Sequence, residues 1–158
     1  MPKLSVLAQP MFLWVLFCGG CTLANLTPQA RFAESTNTLN DSTRWGRVDA
    51  ALTQVSPKYV DKFSARHAEW GGTISIADYD IVNMQIAEDR KGAMSEIALS
   101  WYMTGGVILH QSTITQRWAT EGGKFRLVDE VVRAGDPRVF VAEEDTTAEA
   151  EAKTDDPT

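Results

Sequence analysis

The chain has 158 residues, 44% of them hydrophobic, and a formal net charge of −6, which is enough for one packed domain. Its last stretch, VAEEDTTAEAEAKTDDPT, sets seven acids (Glu143, Glu144, Asp145, Glu149, Glu151, Asp155, Asp156) against Lys153, so the rest of the chain is close to neutral. A near-neutral body argues against nucleic acid and offers no single-sign patch to an anionic membrane.

At the start, MPK supplies a positive end, LSVLAQPMFLWVLF is a mostly apolar run of fourteen residues, and GG stands directly before Cys21. This is the layout of a secretory signal over residues 1–20. The run is too short for a membrane span, which needs ~20 apolar residues. Cys18 and Cys21 form a C-x-x-C pair. A redox pair of this spacing sits at a helix N-terminus within alternating strands and helices, a pattern that does not follow here. A zinc site needs further ligands, and His67 and His110 are far away and far apart. No metal or cofactor is expected.

The FCGGC segment resembles a bacterial lipoprotein signal, with Cys18 where an aliphatic residue is usual. The resemblance implies that Cys21 is lipidated, becomes the first residue of the mature chain and holds the protein to a membrane. Thr22 lacks the acidic residue that retains such proteins at the inner membrane. Placement at the outer membrane, facing the periplasm, is therefore the implied localisation.

Residues 21–42 read as the lipidated cysteine and a tether, rich in Thr, Asn, Ala and Ser with no sustained period. Leu23, Leu26, Phe32 and Leu39 leave a docked or short-helical alternative open. The domain is expected over residues 43–141. In it, Trp45, Val48, Leu52, Val55, Tyr59, Phe63 and Trp70 recur at helical spacing, with Asp41 or Ser42 as the first cap. Pro57 breaks this pattern, so two helices, the second capped by Ser56, or one sharply kinked helix are expected, ending at Gly71 and Gly72.

From Thr73 the period becomes two. TISIADYDIVNMQIAE reads as one long strand or two joined by a bulge, because Ile74 and Ile76 fall out of phase with Tyr79 and Ile81. AMSEIALSWYM places Ile97, Leu99, Trp101 and Met103 on one face. VILHQSTITQRWAT does the same for Ile108, His110, Ser112, Ile114, Gln116 and Trp118, and FRLVDEVVR follows. Short glycine-bearing turns join these into an antiparallel meander of three to five strands, giving an α+β fold. Residues 142–158 read as a disordered, solvating acidic tail, with weak calcium binding or docking on a basic partner as alternatives.

Helices first, then a bent sheet ending in W-x(6)-F-x-L-x-D-E over residues 118–130, resembles the nuclear transport factor 2-like superfamily, with the cystatin-like arrangement close by. That resemblance implies a cone around the helix, used by different members for isomerase or cyclase chemistry, ligand binding or scaffolding. No catalytic set aligns to this chain. Tyr59, Trp101, His110 and Trp118 are the candidate pocket-lining residues. His110 is singled out because its face also carries Ile108, Ile114 and Trp118. Asp78 and Asp80 are expected to point outward. Of Asp129 and Glu130, one is expected to turn inward and pair with Arg117 or Arg126. Arg66 and His67 read as positive charges at a helix C-terminus. The expectation is a lipid-anchored envelope protein with a non-enzymatic binding or scaffold domain, its partner an envelope protein or a small apolar ligand. The alternative is a small pocket enzyme of the ketosteroid isomerase-like or polyketide cyclase-like type, with His110 and a strand carboxylate as acid and base.

Overall fold

The structure is a computed structural model that describes residues 27–140. The signal segment, Cys21 and the acidic tail lie outside the described residues.

Helix α1 runs Pro28–Arg44. Thr27 Oγ1 accepts the Ala30 N–H at 3.2 Å, and Pro28 takes the first position, where its missing N–H costs nothing. The expected tether therefore ends by residue 28, and the domain begins there instead of at residue 43. Phe32, Thr36, Leu39, Asn40 and Thr43 form the buried face. Only two of those five are apolar, so the helical period is faint in the sequence. Two of the polar members are hydrogen-bonded inside, Asn40 Nδ2 donating to Thr36 O at 2.8 Å and Thr43 Oγ1 to Leu39 O at 3.0 Å, while Thr36 Oγ1 is buried without a partner. Thr27→Ala is expected to cost about 1 kcal/mol in urea unfolding. No shift of the midpoint would show that the helix start is held by other contacts.

Two expected features of the helical region are corrected. Asp41 and Ser42 lie within α1 and do not cap a later helix, and Trp45 closes α1 as an exposed residue instead of joining the core. Short helices α2 (Val48–Leu52) and α3 (Val60–Arg66) follow, separated where Pro57 predicted a break. Ser56 does not cap α3. Its N–H donates to Leu127 O at 2.8 Å and its Oγ to Glu121 Oε1 at 2.9 Å, so the break is bonded to the sheet.

The sheet has four antiparallel strands in sequence order: β1 (Ile74–Ile86), β2 (Gly92–Met103), β3 (His110–Glu121) and β4 (Lys124–Gly135). The pairing register of β1 shifts between Ile76 and Asp78. Ile74 and Ile76 thereby face the core while Asp78 and Asp80 face solvent, as the phase change predicted. One core cluster gathers Phe32, Leu39, Phe63, Trp118, Phe125 and Leu127. A second gathers Trp70, Ile97, Leu99, Trp101, Ile114 and Phe140.

The domain has two ends. At one, Arg31 Nη1 at the start of α1 donates to Gly123 O in the β3–β4 turn at 3.3 Å, and Thr120 N–H donates to Lys91 O beside the β1–β2 turn at 2.9 Å. At the other end lie Arg44, which bonds Asp78 at 3.0 Å, the Gly71 turn, the β2–β3 connection, and the single helical turn Pro137–Val139. Strands of 12 residues separate these ends by roughly 40 Å.

Candidate functional site

Between the two core clusters runs a chain of buried polar groups. Trp118 Nε1 donates to Ser95 Oγ at 2.9 Å, and Ser95 Oγ donates to Gln116 Oε1 at 3.1 Å. Gln116 Nε2 donates to Asn40 Oδ1 and to Glu130 Oε1, both at 3.0 Å. Glu130 Oε2 stands 3.4 Å from His67 Nε2, and the Glu130 N–H donates to Tyr59 Oη at 3.1 Å. Four elements and the loop after α3 converge here, and every side chain in the chain is buried.

The protonation of this seam follows from its geometry. His67 Nδ1 is 2.9 Å from Phe63 O, which can only accept, so Nδ1 carries the hydrogen. Burial pushes His67 down to about 3 and pushes Glu130 up to about 7, the latter opposed by the Gln116 hydrogen bond. A neutral His67 then turns its Nε2 toward Glu130 Oε2 at 3.4 Å, an approach in which Glu130 Oε2 makes no hydrogen bond and which, with His67 uncharged, is not an ion pair. Burial likewise raises the Tyr59 phenol well above its ordinary value. Two sequence expectations are corrected here. The inward acid is Glu130, and it meets His67 and Gln116, while Asp129 pairs with Arg117 at 2.7 Å. His67 stacks on Phe63 at 4.0 Å inside the core and carries no charge for the helix end.

Among the described residues, the four candidate pocket residues are divided between the two core clusters and the rim of the domain. Tyr59 and Trp118 belong to the first cluster and Trp101 to the second. Trp101 Nε1 donates to Ser112 Oγ at 2.9 Å, and Ser112 Oγ donates to Asp136 O at 2.6 Å, so the indole is used structurally. His110 sits at the rim. Its ring stacks on Trp101 at 4.5 Å, and its Nδ1 is 2.9 Å from Asp136 Oδ2. Arg138 grips the same carboxylate at 2.6 Å and holds Asp136 well below the usual carboxylate range.

Two of the hollows among the described residues open to solvent. One of about 450 Å³ is lined by Ile86, Ala93, Met94, Arg117 and Trp118 among others. The other, about 620 Å³, is lined by Leu52, Val55, Pro57, Val60, Glu121 and Arg126 among others. Neither contains His110. Among the described residues no cluster of three His, Cys, Asp or Glu could hold a metal ion, and no helix is long and apolar enough to cross a membrane.

The feature that sequence reasoning missed is the β2–β3 connection, residues 104–109. Val107 is 100% exposed, Ile108 65% and Leu109 58%, with Tyr102 and Met103 exposed beside them. The sequence reading had placed Ile108 on the core face of a strand. The strand instead starts at His110, because the preceding Gly105 (φ +83°) and the Gly106 N–H bond to Met103 O at 2.7 Å turn the chain away from the sheet. Three consecutive aliphatic residues without alternation were the available signal, since such runs on a surface are errors unless they have a use. Trp45, 64% exposed, lies at the same end of the sheet. It follows Arg44 and precedes Gly46, which packs on Gly71, and the adjacent Gly72 O accepts from Thr104 Oγ1.

No protein-family model and no curated protein matches this chain. Among solved structures it is similar to the intermembrane space region of chloroplast protein ARC6. Identity is 8%, coverage is 68% of this chain and 97% of that one, and the TM-score is 0.46.

Proposed function

We propose that this chain is a lipid-anchored cell-envelope protein whose domain is a non-enzymatic binding or scaffold module of the nuclear transport factor 2-like kind, engaging another protein through the hairpin tip at 104–109. The observation that carries this reading is the tip itself, three aliphatic side chains exposed to water at one end of the four-stranded sheet. Exposed apolar patches of this sort mark interaction sites. The interior supports the same reading. Trp101 and Trp118 fill the core with their N–H groups satisfied. His110 pairs with Asp136 at the rim and lines neither hollow. Acid–base catalysis in a pocket needs a base and a carboxylate converging in an open apolar cavity.

The proposed anchor orients the tip. Cys21 stands six residues before Thr27, and six residues reach at most about 22 Å. The start of α1 lies at the end of the sheet opposite the tip, so lipidation at Cys21 keeps the β3–β4 turn near the bilayer and directs the tip outward.

Chemical cross-linking of the full chain in its own cell envelope tests the reading. Val107→Asp with Ile108→Asp is expected to abolish cross-linked species while leaving urea stability within about 0.5 kcal/mol of wild type. Cys21→Ala is expected to release the chain from the membrane fraction. Cross-linked species that persist unchanged in the double variant would defeat the proposal.

A further inference from the structure

Independently of the tip, we infer that the hollow between α2, α3 and the β3–β4 hairpin binds a small zwitterion with an apolar body, the chemistry shared by free aliphatic amino acids and short apolar peptides. The hollow holds about 620 Å³ and is lined by Leu52, Val55, Pro57 and Val60 together with one acid, Glu121, and one base, Arg126. It lies at the hairpin end of the sheet, away from residues 104–109. An apolar lining with a few polar groups in a space of this size is the usual form of a small-molecule site.

The two charges carry the inference. In the β3–β4 register Glu121 stands opposite Lys124, so Arg126 is its diagonal neighbour on the same face, about 7–8 Å away along the backbone. Both side chains are half-buried. Among the described residues, however, neither makes an ion pair, with the other or with anything else. Ser56 Oγ holds Glu121 in place, donating to its Oε1 at 2.9 Å. The floor of the hollow is fixed as well: the Ser56 N–H donates to Leu127 O and the Leu127 N–H to Gln54 O, both at 2.8 Å. Lys124 is exposed and does not line the hollow. A carboxylate at Arg126, an ammonium at Glu121 and an apolar body over Leu52, Val55 and Val60 would complete this arrangement. A fatty acid would bring its anion beside Glu121, and an apolar amine would leave Arg126 without one, so each satisfies only half of the site.

Calorimetric titration of the full chain in detergent tests the inference with leucine and leucyl-leucine as probes. Three partial ligands accompany them: isocaproate, which lacks the ammonium, isopentylamine, which lacks the carboxylate, and glycine, which lacks the apolar body. Saturable binding of leucine or the dipeptide is expected, and the tighter of the two identifies the source as a free amino acid or a peptide. Each partial ligand is expected to bind about tenfold more weakly than leucine. Arg126→Gln is expected to weaken leucine about tenfold and leave isopentylamine unchanged. Glu121→Gln, which keeps an oxygen for Ser56, is expected to weaken leucine and not isocaproate. Both variants should keep the wild-type urea midpoint. No saturable heat with leucine or the dipeptide up to about 10 mM, or partial ligands that bind wild type as tightly as leucine does, overturns the inference and leaves the tip reading standing.

Discussion

Replacing His67 with Gln is expected to make stability, relative to wild type, fall by about 3 kcal/mol between pH 4.5 and 7. Replacing Glu130 with Gln is expected to do the opposite, with stability relative to wild type rising by about 3 kcal/mol between pH 4.5 and 7. Glu130 moves from 4.5 in the unfolded chain to about 7 in the folded one. A raised carboxyl contributes stability that is fully present below the unfolded value and is lost as pH climbs through the folded value. His67 moves from 6.5 down to about 3. Here the unfolded chain binds the extra proton, so stability is lost as the pH drops through that window. In wild type the two slopes cancel between about 4.5 and 6.5, because each state of the pair holds one proton: on Glu130 when folded, on His67 when unfolded. Arg66 and Asp129, the other charges acting on Glu130, oppose each other. Urea unfolding of the three proteins across pH 3 to 8 reads the effect directly. Parallel curves would mean that neither group's proton affinity changes on folding, and difference curves of opposite sign would mean that the seam holds a charged pair and not a neutral one.

Gly135→Ala is expected to cost at least about 3 kcal/mol, the sum of strained backbone and steric overlap. Gly135 has φ +85°, and a Cβ there would lie 2.2 Å from Gln111 O and 2.8 Å from the Ser112 Cα, both backbone atoms that cannot step aside. The same residue ends β4 and delivers Asp136 to His110. The variant should therefore also loosen the end of the domain that carries the tip. Gly105→Ala is the matched control: its φ is +83° with nothing within 4 Å, so only the conformational penalty of about 1 kcal/mol applies. Equal urea midpoints for the two variants would remove the overlap argument.

The strands were legible because a period of two survives in any half-buried sheet. Ile97, Leu99 and Trp101 alternate outright, and the slipped phase after Ile76 announced the irregularity in β1. The break at Pro57 was legible for the same local reason, a ring that cannot sit inside a helix. Helix α1 was not, since a face made of Phe32, Thr36, Leu39, Asn40 and Thr43 has too little apolar content to show a period until another surface covers it. The tip was misread because Val107, Ile108 and Leu109 have strong strand preferences. Gly105 and Gly106, which turn them into water, sit next to them in the chain and look like any hairpin turn.

What the sequence determined alone was local: the α+β order of elements, the glycine turns, and which side chains share a face, all set by backbone period and by the stiffness of proline and the freedom of glycine. What only the tertiary structure decided was who meets whom across the chain. His67, Gln116 and Glu130 become partners because α3, β3 and β4 bury them in one seam. Aliphatic residues that elsewhere form a core become a surface because their loop is left without a covering layer. Burial is a property of the packed whole, and both the raised proton affinity of Glu130 and the bare apolar tip are consequences of burial or its absence.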